Sequence, residues 1–312
     1  MGTGHHHGHG HHHHHHGGSG NILIAFFLNA SFAVVEFIGG YLTNSVAIYS
    51  DAIHDLGDSL ALLFAYFSEK MGNKAPDENY TYGYKRFSVI SALINGVILL
   101  TGSLFVIMES IERISNPQPV HPEGMLGLAL LGITINGVAA FRLSKDDGLN
   151  QRMVMLHLME DILGWIAVLV VSIVLLFKPW FILDSILSIV ISIVILRGVY
   201  KNLIGVGEIL LQKFPKHLDL EKIYSLIRKI DCVNDVHGIQ GFSVDESNIS
   251  LSFHVSVSGD LKMLEVDKIK KKIKHILVKN QIKFSSIEFE SDGYDCSEND
   301  DEHHDHKHDH EH

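Results

Sequence analysis

The sequence predicts an all-α membrane domain with six transmembrane helices, followed by a small cytoplasmic α+β domain of ferredoxin-like type. Two observations carry this prediction. Residues 21–204 are strongly apolar, whereas residues 205–292 are charged and alternate between helical and strand periodicity. The terminal segments 1–20 and 293–312 are rich in histidine and contain almost no apolar residue, so we expect both to be disordered.

Six apolar runs are long enough, at about twenty residues each, to cross a bilayer as helices. They are residues 22–42, 46–67, 87–108, 124–143, 154–177 and 180–199. Lysine and arginine concentrate in the second and fourth connecting loops and after the sixth run, whereas the first loop has none. Because cytoplasmic loops carry the excess of positive charge, both termini are predicted to lie in the cytoplasm.

The second and fifth runs each carry a histidine and an aspartate four residues apart. These pairs are His54 with Asp58, and His157 with Asp161. Residues at this spacing share one face of a helix, and ionisable side chains at membrane depth normally face the bundle interior. A single pair is more often a hydrogen-bonded feature of the helix. Two pairs, however, supply two imidazoles and two carboxylates, a tetrahedral set suited to zinc.

The charge balance of this set favours exchange of a metal ion against protons. Two ionised carboxylates neutralise one divalent cation, so the filled site carries no net charge in a low-dielectric place. When the site is empty, the like charges repel each other and protons are expected to bind instead.

Other polar residues in the apolar runs are interpreted as structural. We expect Asp51, Asp55 and Glu160 to be charges of a helix end or water-facing groups rather than ligands. Helix-to-helix hydrogen bonds are expected for Glu36, Asn95, Asn136 and Asp184. Asp184 also lies where a first-turn carboxylate stabilises the sixth helix.

The cytoplasmic segment reads as helix, strand, strand, helix, strand. An amphipathic helix is predicted at 218–230, strands at 236–244 and 249–257, a second helix at 263–278 and a last strand at 286–290. This order is typical of a ferredoxin-like layer of helices on a sheet.

Composition excludes several classes of protein. The formal net charge of −11 argues against a nucleic-acid partner. Cys232 and Cys296 are the only cysteines, so neither a disulfide framework nor a cysteine-rich zinc module is expected. No cleavable signal peptide is predicted, because the first apolar run follows a histidine tract without a cleavage motif. An expression tag would explain the histidines at 11–16, but histidines at both ends favour weak multivalent metal capture.

Several motifs occur in order along the chain. Residues 42–47 read Leu-Thr-Asn-Ser-Val-Ala and precede Ser50-Asp51-Ala52-Ile53-His54 and Asp58. Further motifs are Gly-Tyr-Lys-Arg-Phe at 83–87, Ala-Leu-Ile-Asn-Gly at 92–96, Leu156-His157 with Asp161, and Leu-Asp-Ser-Ile-Leu-Ser at 183–188. Together they resemble the cation diffusion facilitator family of proton-coupled zinc transporters, over nearly the whole ordered chain.

The resemblance implies a function and a site. His54, Asp58, His157 and Asp161 would be the transport ligands, and histidine at position 54 is similar to the zinc-preferring branch. Zn²⁺ would be the chief substrate, with Cd²⁺, Co²⁺ and Ni²⁺ as further candidates. The protein would be a homodimer in the cell membrane, exchanging metal ions for protons with no cofactor and no enzymatic activity. Some family members have a histidine-containing site between helices two and three, but residues 77–84 carry tyrosines instead, and none is expected here.

The resemblance also implies a regulatory metal site in the cytoplasmic domain. The matching residues are His237, His254, Glu288 and Glu290. The relatives' histidine and tryptophan after the first of these are replaced by Gln240 and Phe242. An ordinary role for the two histidines on strand faces therefore remains open beside the regulatory one.

Two other functions would also use metal-binding residues of this chain. An intramembrane metalloenzyme is disfavoured, because the chain lacks a His-Glu-x-x-His motif and four protein ligands leave no position for a catalytic water. A non-transporting metal sensor that uses only the histidine-rich ends and the soluble domain remains an alternative. It predicts that His54 and Asp161 are dispensable.

Overall fold

The computed structural model describes residues 19–72, 74, 76–143, 149–216, 218–280 and 282–292. The chain divides into two compact units, Met1–Glu208 and Ile209–His312, which are described separately. The histidine-rich segments for which disorder is predicted fall on residues 1–18 and 293–312, outside the described residues, while Ser19 and Gly20 already belong to the first helix.

The first unit consists of long helices at the six predicted positions. They are α1 (Ser19–Thr43), α2 (Val46–Gly72), α3 (Arg86–Ser115), α4 (Pro122–Leu143), α5 (Leu149–Phe177) and α6 (Ile182–Leu210). In the described part of the chain, all of these except α2 are long and apolar enough to cross a membrane, which makes five. Helix α2 has 27 residues but carries Asp51, His54, Asp55 and Asp58. A helical, multi-pass membrane domain is therefore confirmed.

The outer surfaces of these helices suit a lipid environment. Large apolar side chains such as Phe105, Leu163 and Val194 are more than 60% exposed. Exposed apolar side chains on every apolar helix would be unfavourable in water but are expected where hydrocarbon covers them.

The interior is held by close helix contacts. Helix α1 packs along α2, α2 against α3, and α4 along α5. One buried apolar cluster joins α2, α4 and α5 around Trp165, and a second joins α3 and α6 around Leu99. Glycines permit the close approach, because a Cβ at Gly57 would lie 2.4 Å from Leu99 and one at Gly132 would lie 2.4 Å from Trp165.

The start of α2 is fixed by α6. Asp184, in the first turn of α6, is buried and accepts hydrogen bonds from Ser45 Oγ at 2.5 Å and from the Val46 backbone N–H at 2.7 Å. These donors lie at the N-terminus of α2, where backbone N–H groups lack helical partners. Asp184 therefore is a first-turn carboxylate, as predicted, and also caps a neighbouring helix.

The second unit has the predicted order of elements. It contains α7 (Leu220–Arg228), β1 (Val233–Ser243), β2 (Ile249–Val257), α8 (Met263–Lys279) and β3 (Ile282–Ser291). The strands lie in the order β1-β2-β3, with β1 antiparallel and β3 parallel to β2. Both helices pack on an apolar core that includes Ile227, Phe253 and Ile273.

Three elements of this unit begin at other residues than predicted, and one of them is β1, which starts at Val233 instead of residue 236. Helix α7 begins later than expected, because Asp219 is its N-cap and accepts a hydrogen bond from the Lys222 backbone N–H. Strand β3 begins earlier, since Ile282 is buried and pairs with Ile249 on β2. The turn between β1 and β2 is where it was expected: Asp245 accepts hydrogen bonds from the backbone of Ser247 and Asn248.

Candidate metal centre

The two histidine–aspartate pairs lie together where α5 approaches α2. Asp58 Oδ2 is 2.8 Å from His157 Nε2 and 3.9 Å from His54 Nε2. Asp161 Oδ2 is 3.8 Å from His157 Nε2, and the two imidazole rings are 5.8 Å apart between their centroids. All four side chains are partly buried. Two helices thus bring together residues about one hundred positions apart in the chain.

The separations fit one tetrahedral zinc ion with small adjustments. Ligand atoms on such an ion, at bonds of about 2.0–2.2 Å, lie roughly 3.3–3.6 Å apart. The three measured separations, 2.8, 3.9 and 3.8 Å, lie on either side of this range. Ligand atoms of His54, Asp58 and His157 all lie within 4.8 Å of one another, whereas Asp161 stands slightly outside this group.

One buried nitrogen of the cluster lacks a hydrogen-bond partner. His54 Nδ1 is buried and has no hydrogen-bond partner. An unpaired buried polar atom costs on the order of 1–3 kcal/mol unless a ligand or water satisfies it. Because an imidazole binds one metal ion through a single nitrogen and Nε2 is the one that approaches Asp58, an ion bound there would leave Nδ1 to another partner.

Two of the three neighbouring acidic residues differ from the expectation. Glu160 is exposed, as predicted for a water-facing group. Asp51 and Asp55 are not, since each is only 8% exposed. The prediction that they are charges of a helix end or face water is wrong. Neither lies in the first turn of α2, and α1 packs along α2 and covers this face.

Among the described residues, three of the expected helix-to-helix hydrogen bonds are not found. Asn95 Oδ1 is buried without a hydrogen-bond partner. Asn136 Nδ2 donates to Gly132 O of its own helix at 3.2 Å. Glu36 is completely buried and neither of its carboxylate oxygens has a hydrogen-bond partner. Sequence reasoning missed the group that Glu36 forms with Asp51 and Asp55. The available signal was an acidic residue in the middle of an otherwise apolar run.

A second cluster lies on the sheet of the C-terminal unit. His237 on β1 pairs with His254 on β2, and His254 pairs with Glu288 on β3. His237 Nε2 is 3.3 Å from Glu290 Oε2, and His254 Nδ1 forms a hydrogen bond with Glu290. His254 Nε2 is 3.7 Å from Glu288 Oε2. His237, His254 and Glu290 form the second group with metal-ligand spacing among the described residues, and Glu288 stands at its exposed edge.

Asp235 flanks this second cluster as an ionised neighbour. Its Oδ2 is 3.5 Å from His237 Nδ1, and its Oδ1 accepts a hydrogen bond from Arg228 at 2.8 Å. Partial burial tends to raise the pKa of Asp235, but the Val236 backbone N–H and Arg228 hold the pKa below its usual value. The face of the sheet therefore keeps negative charge beside the imidazoles.

The loop between α2 and α3 has a different organisation. Asp77 accepts hydrogen bonds from the backbone of Asn79 and Tyr80 and from the Tyr84 hydroxyl at 2.5 Å. The Tyr84 hydroxyl and these N–H groups lower the pKa of Asp77. In the described part of this loop, no metal-ligand group is found.

Comparison with known proteins places this architecture in a family. The family model for the cation efflux transmembrane domain matches residues 22–211. The chain is 33% identical over 277 residues to a protein of Bacillus subtilis (strain 168) named a cadmium, cobalt and zinc/H(+)-K(+) antiporter, which covers 88% of this chain and 89% of that protein. It is 30% identical over 287 residues to the zinc transporter ZitB of Escherichia coli (strain K12), covering 89% of this chain and 90% of the relative. It is 29% identical over 257 residues to the metal cation efflux system protein CzcD of Cupriavidus metallidurans, covering 82% and 80%.

The helical membrane domain and these matches define the class of the protein, a cation efflux transporter. The chain belongs to the cation efflux family, also called the cation diffusion facilitators. The prediction of a transporter rather than an enzyme is confirmed by this membership.

Proposed function

We propose that the protein is a zinc/proton antiporter that moves Zn²⁺ out of the cytoplasm by alternating access. The convergence of two imidazoles and two carboxylates from α2 and α5 carries this proposal. His54, Asp58, His157 and Asp161 are proposed as the four ligands. The names of the relatives, which include zinc, cadmium and cobalt as substrates, support the choice of metal.

The donor set explains the metal preference. Imidazole nitrogens suit zinc, cobalt, nickel and cadmium better than magnesium or manganese, which prefer oxygen ligands. Two nitrogens and two oxygens favour tetrahedral geometry, which zinc accepts without penalty. Zn²⁺ is therefore the chief proposed substrate, and Cd²⁺, Co²⁺ and Ni²⁺ are further ones.

Charge balance provides the coupling. In the inward-open state, neutral imidazoles and ionised carboxylates bind Zn²⁺ as a neutral unit that can cross a low-dielectric region. After the carrier opens outward, protons from the more acidic side compete for the same nitrogens and oxygens and displace the ion. The protonated site then returns inward. In both movements the two carboxylates are neutralised, by Zn²⁺ on the way out and by protons on the way back.

The proposal includes a membrane topology. Helix α2, at 27 residues, has a length of roughly 40 Å at about 1.5 Å per residue and serves as a sixth span. Its charged residues are tolerated because they face the interior, as ionisable groups within a membrane normally do. The even loops carry the positive charge, so both termini lie in the cytoplasm, and the membrane is the cell or inner membrane.

The remaining organisation is proposed from sequence pattern and family resemblance. The transport domain spans residues 21–204 and a ferredoxin-like domain spans residues 205–292, with the order and pairing of α7 to β3 as support. Two copies form a homodimer through their cytoplasmic parts. Residues 1–20 and 293–312 are histidine-rich segments that capture metal weakly.

The cluster on the sheet is proposed as a regulatory metal site. His237, His254 and Glu290 have ligand spacing, and Glu288 is close enough to join them. The same cluster is the one observation that favours the alternative function, a metal sensor that does not transport. The two functions differ in whether the residues on α2 and α5 are needed.

Zinc uptake into inside-out vesicles tests the proposal. Full-length wild type, Asp161→Ala and Glu160→Gln are compared with an acidic vesicle lumen and with no pH gradient. Glu160 is the matched control, since it is a neighbouring acid on the same helix but exposed. The proposal expects gradient-stimulated uptake for wild type and Glu160→Gln and none for Asp161→Ala.

The other outcomes separate the alternatives. Equal uptake by wild type and Asp161→Ala would show that these pairs are structural. Uptake that does not respond to the gradient would remove the proton from the proposal. Absence of uptake by every protein, with zinc still bound, would favour the sensor.

A further inference from the structure

Helix α8 of the C-terminal unit has a strongly basic exposed face. Its 17 residues include six lysines, although the formal net charge of the whole chain is −11. The helix buries Ile269, Ile273 and Leu277 in the core beside the sheet. On the sides turned away from this core, the following lysines are exposed: Lys268, Lys271, Lys272, Lys274 and Lys279.

This positive charge is not balanced within the described part of the chain. None of the ion pairs found among the described residues involves a lysine of α8. The helix itself has two acidic residues, and one of them, Glu265, accepts a hydrogen bond from the Lys262 backbone N–H at 2.9 Å. Like charges three and four positions apart on a helix repel each other. The basic face of α8 therefore favours an acidic partner.

The chain leaves the last strand beside the start of this helix. The Asp292 backbone N–H donates to Val257 O at 3.0 Å, and Val257 is paired with Ser291 in the sheet. A short connection, residues 258–262, leads from Val257 into α8. An extended chain covers about 3.3 Å per residue and a helix rises about 1.5 Å per residue, so about eight extended residues equal the length of α8. Residues 293–312 therefore start near the first turn of α8 and are long enough to follow it.

The charge of this segment is complementary to that of α8. Residues 293–312 contain eight aspartates and glutamates and one lysine. A single exposed ion pair contributes little, but several together add up. A partner on the same chain also has an effective concentration on the order of millimolar near its attachment point, whereas any other acidic partner must come from outside the chain. The segment is therefore the favoured partner of α8.

We propose that the acidic segment 293–312 binds to the basic face of α8 in the same chain, and that zinc binding to the segment releases it. The first part goes beyond the proposed antiport and does not depend on it. The second part rests on the weak metal capture proposed for the histidine-rich ends.

Competition for the carboxylates explains the release. The segment contains six histidines interspersed with its carboxylates, and both are ligand types that bind Zn²⁺. Each bound Zn²⁺ adds two positive charges to the segment and occupies carboxylates that otherwise face lysines. The basic face of α8 is thus covered when zinc is scarce and free when zinc is abundant.

Photocrosslinking of the full-length protein provides the test. The segment contains Cys296, and the other cysteine, Cys232, is exposed and is replaced in Cys232→Ser. Benzophenone-maleimide is attached to Cys296, the protein is reconstituted in phosphatidylcholine vesicles and irradiated, and mass spectrometry locates the crosslinks.

The variants separate charge from mere proximity, because all of them keep the same attachment to β3. Lys268→Gln with Lys272→Gln removes two charges from α8. The matched control is Lys222→Gln with Lys229→Gln, which removes two charges from exposed positions on and just after α7. A third variant neutralises the segment itself through the substitutions Asp300→Asn, Asp301→Asn and Glu302→Gln.

The expected result is a severalfold loss of crosslinks to α8 in the α8 variant and in the segment variant, and no loss in the α7 control. High salt should reduce the crosslinks in the same way, since it screens exposed charges. Zn²⁺ added before irradiation should also reduce them severalfold, including in a protein that carries His254→Ala and so lacks a histidine of the sheet cluster.

Several results would overturn the inference. Equal crosslinking to α8 in all variants and at high salt would show that only the attachment to β3 brings the segment there. Covalent dimers in place of crosslinks within one chain would assign the contact to a second copy. Loss of the crosslinks in vesicles that contain phosphatidylglycerol would identify anionic lipid as the partner of α8. Crosslinking that zinc does not change would overturn the release. None of these readouts depends on transport, so they are distinct from failure of the proposed function.

Discussion

The substitution Asp58→Asn removes one negative charge from the centre of the metal cluster. Asp58 Oδ2 lies 2.8 Å from His157 Nε2 and 3.9 Å from His54 Nε2, so it connects the candidate ligands of the two helices. The amide keeps the size and shape of the side chain. A bound Zn²⁺ would then retain one uncompensated positive charge.

The expected loss of affinity follows from the Coulomb energy. A unit negative charge roughly 3 Å from a doubly charged ion, at an effective dielectric constant of about 20, contributes on the order of 11 kcal/mol. Desolvation of the carboxylate, which the amide avoids, offsets several kcal/mol of this. If a quarter survives, the dissociation constant for zinc rises about 100-fold, equivalent to roughly 2.7 kcal/mol.

Competition with a fluorescent zinc chelator measures this change. Asp58→Asn is compared with wild type and with Glu160→Gln, which removes the same charge from an exposed position nearby. We expect one tightly bound zinc equivalent to disappear in Asp58→Asn alone, while weaker binding elsewhere in the chain persists. A folded Asp58→Asn protein with wild-type affinity would refute the assignment of this cluster as the metal site.

Three further predictions concern the framework and the second cluster. Asp184→Asn weakens the cap on α2 that involves Ser45, and should lower the free energy of unfolding by about 1–2 kcal/mol, seen as a lower thermal midpoint. Gly57→Ala places a methyl group where Leu99 now packs, so it should push α2 away from α3 and reduce the rate of zinc uptake. A wild-type rate of uptake would show that Leu99 can move aside without disturbing the two helices. His254→Ala should remove one bound zinc without abolishing uptake, as counted by metal analysis; complete loss of uptake would mean that the sheet cluster is required for transport.

Much of the fold was predictable because its signals are local. Apolar runs of sufficient length predict the membrane helices. The alternation between helical and strand periodicity of the apolar residues predicts the order of α7 to β3. The first residues of the helices and strands were harder to predict from the sequence. The beginning of α7 depends on the cap formed by Asp219, and the beginning of β3 depends on its pairing with β2.

The proximity of the two histidine–aspartate pairs was predictable from the sequence, but their surroundings were not. The repeated spacing of His54–Asp58 and His157–Asp161 predicts shared helix faces, and the structure brings the two pairs together. Burial of Asp51 and Asp55 was not predictable, because it depends on which face of α2 is covered by α1. A periodic pattern says that a helix has a polar face, but not which neighbour meets it.

The most direct test of the account follows zinc and protons in the same vesicles. Wild-type protein is reconstituted with a pH indicator sealed in the lumen, zinc is added outside, and both luminal zinc and luminal pH are recorded without any starting gradient. Antiport predicts that the luminal pH rises as zinc enters, and that Asp161→Ala shows neither change. Zinc accumulation at constant luminal pH would contradict the exchange of zinc for protons.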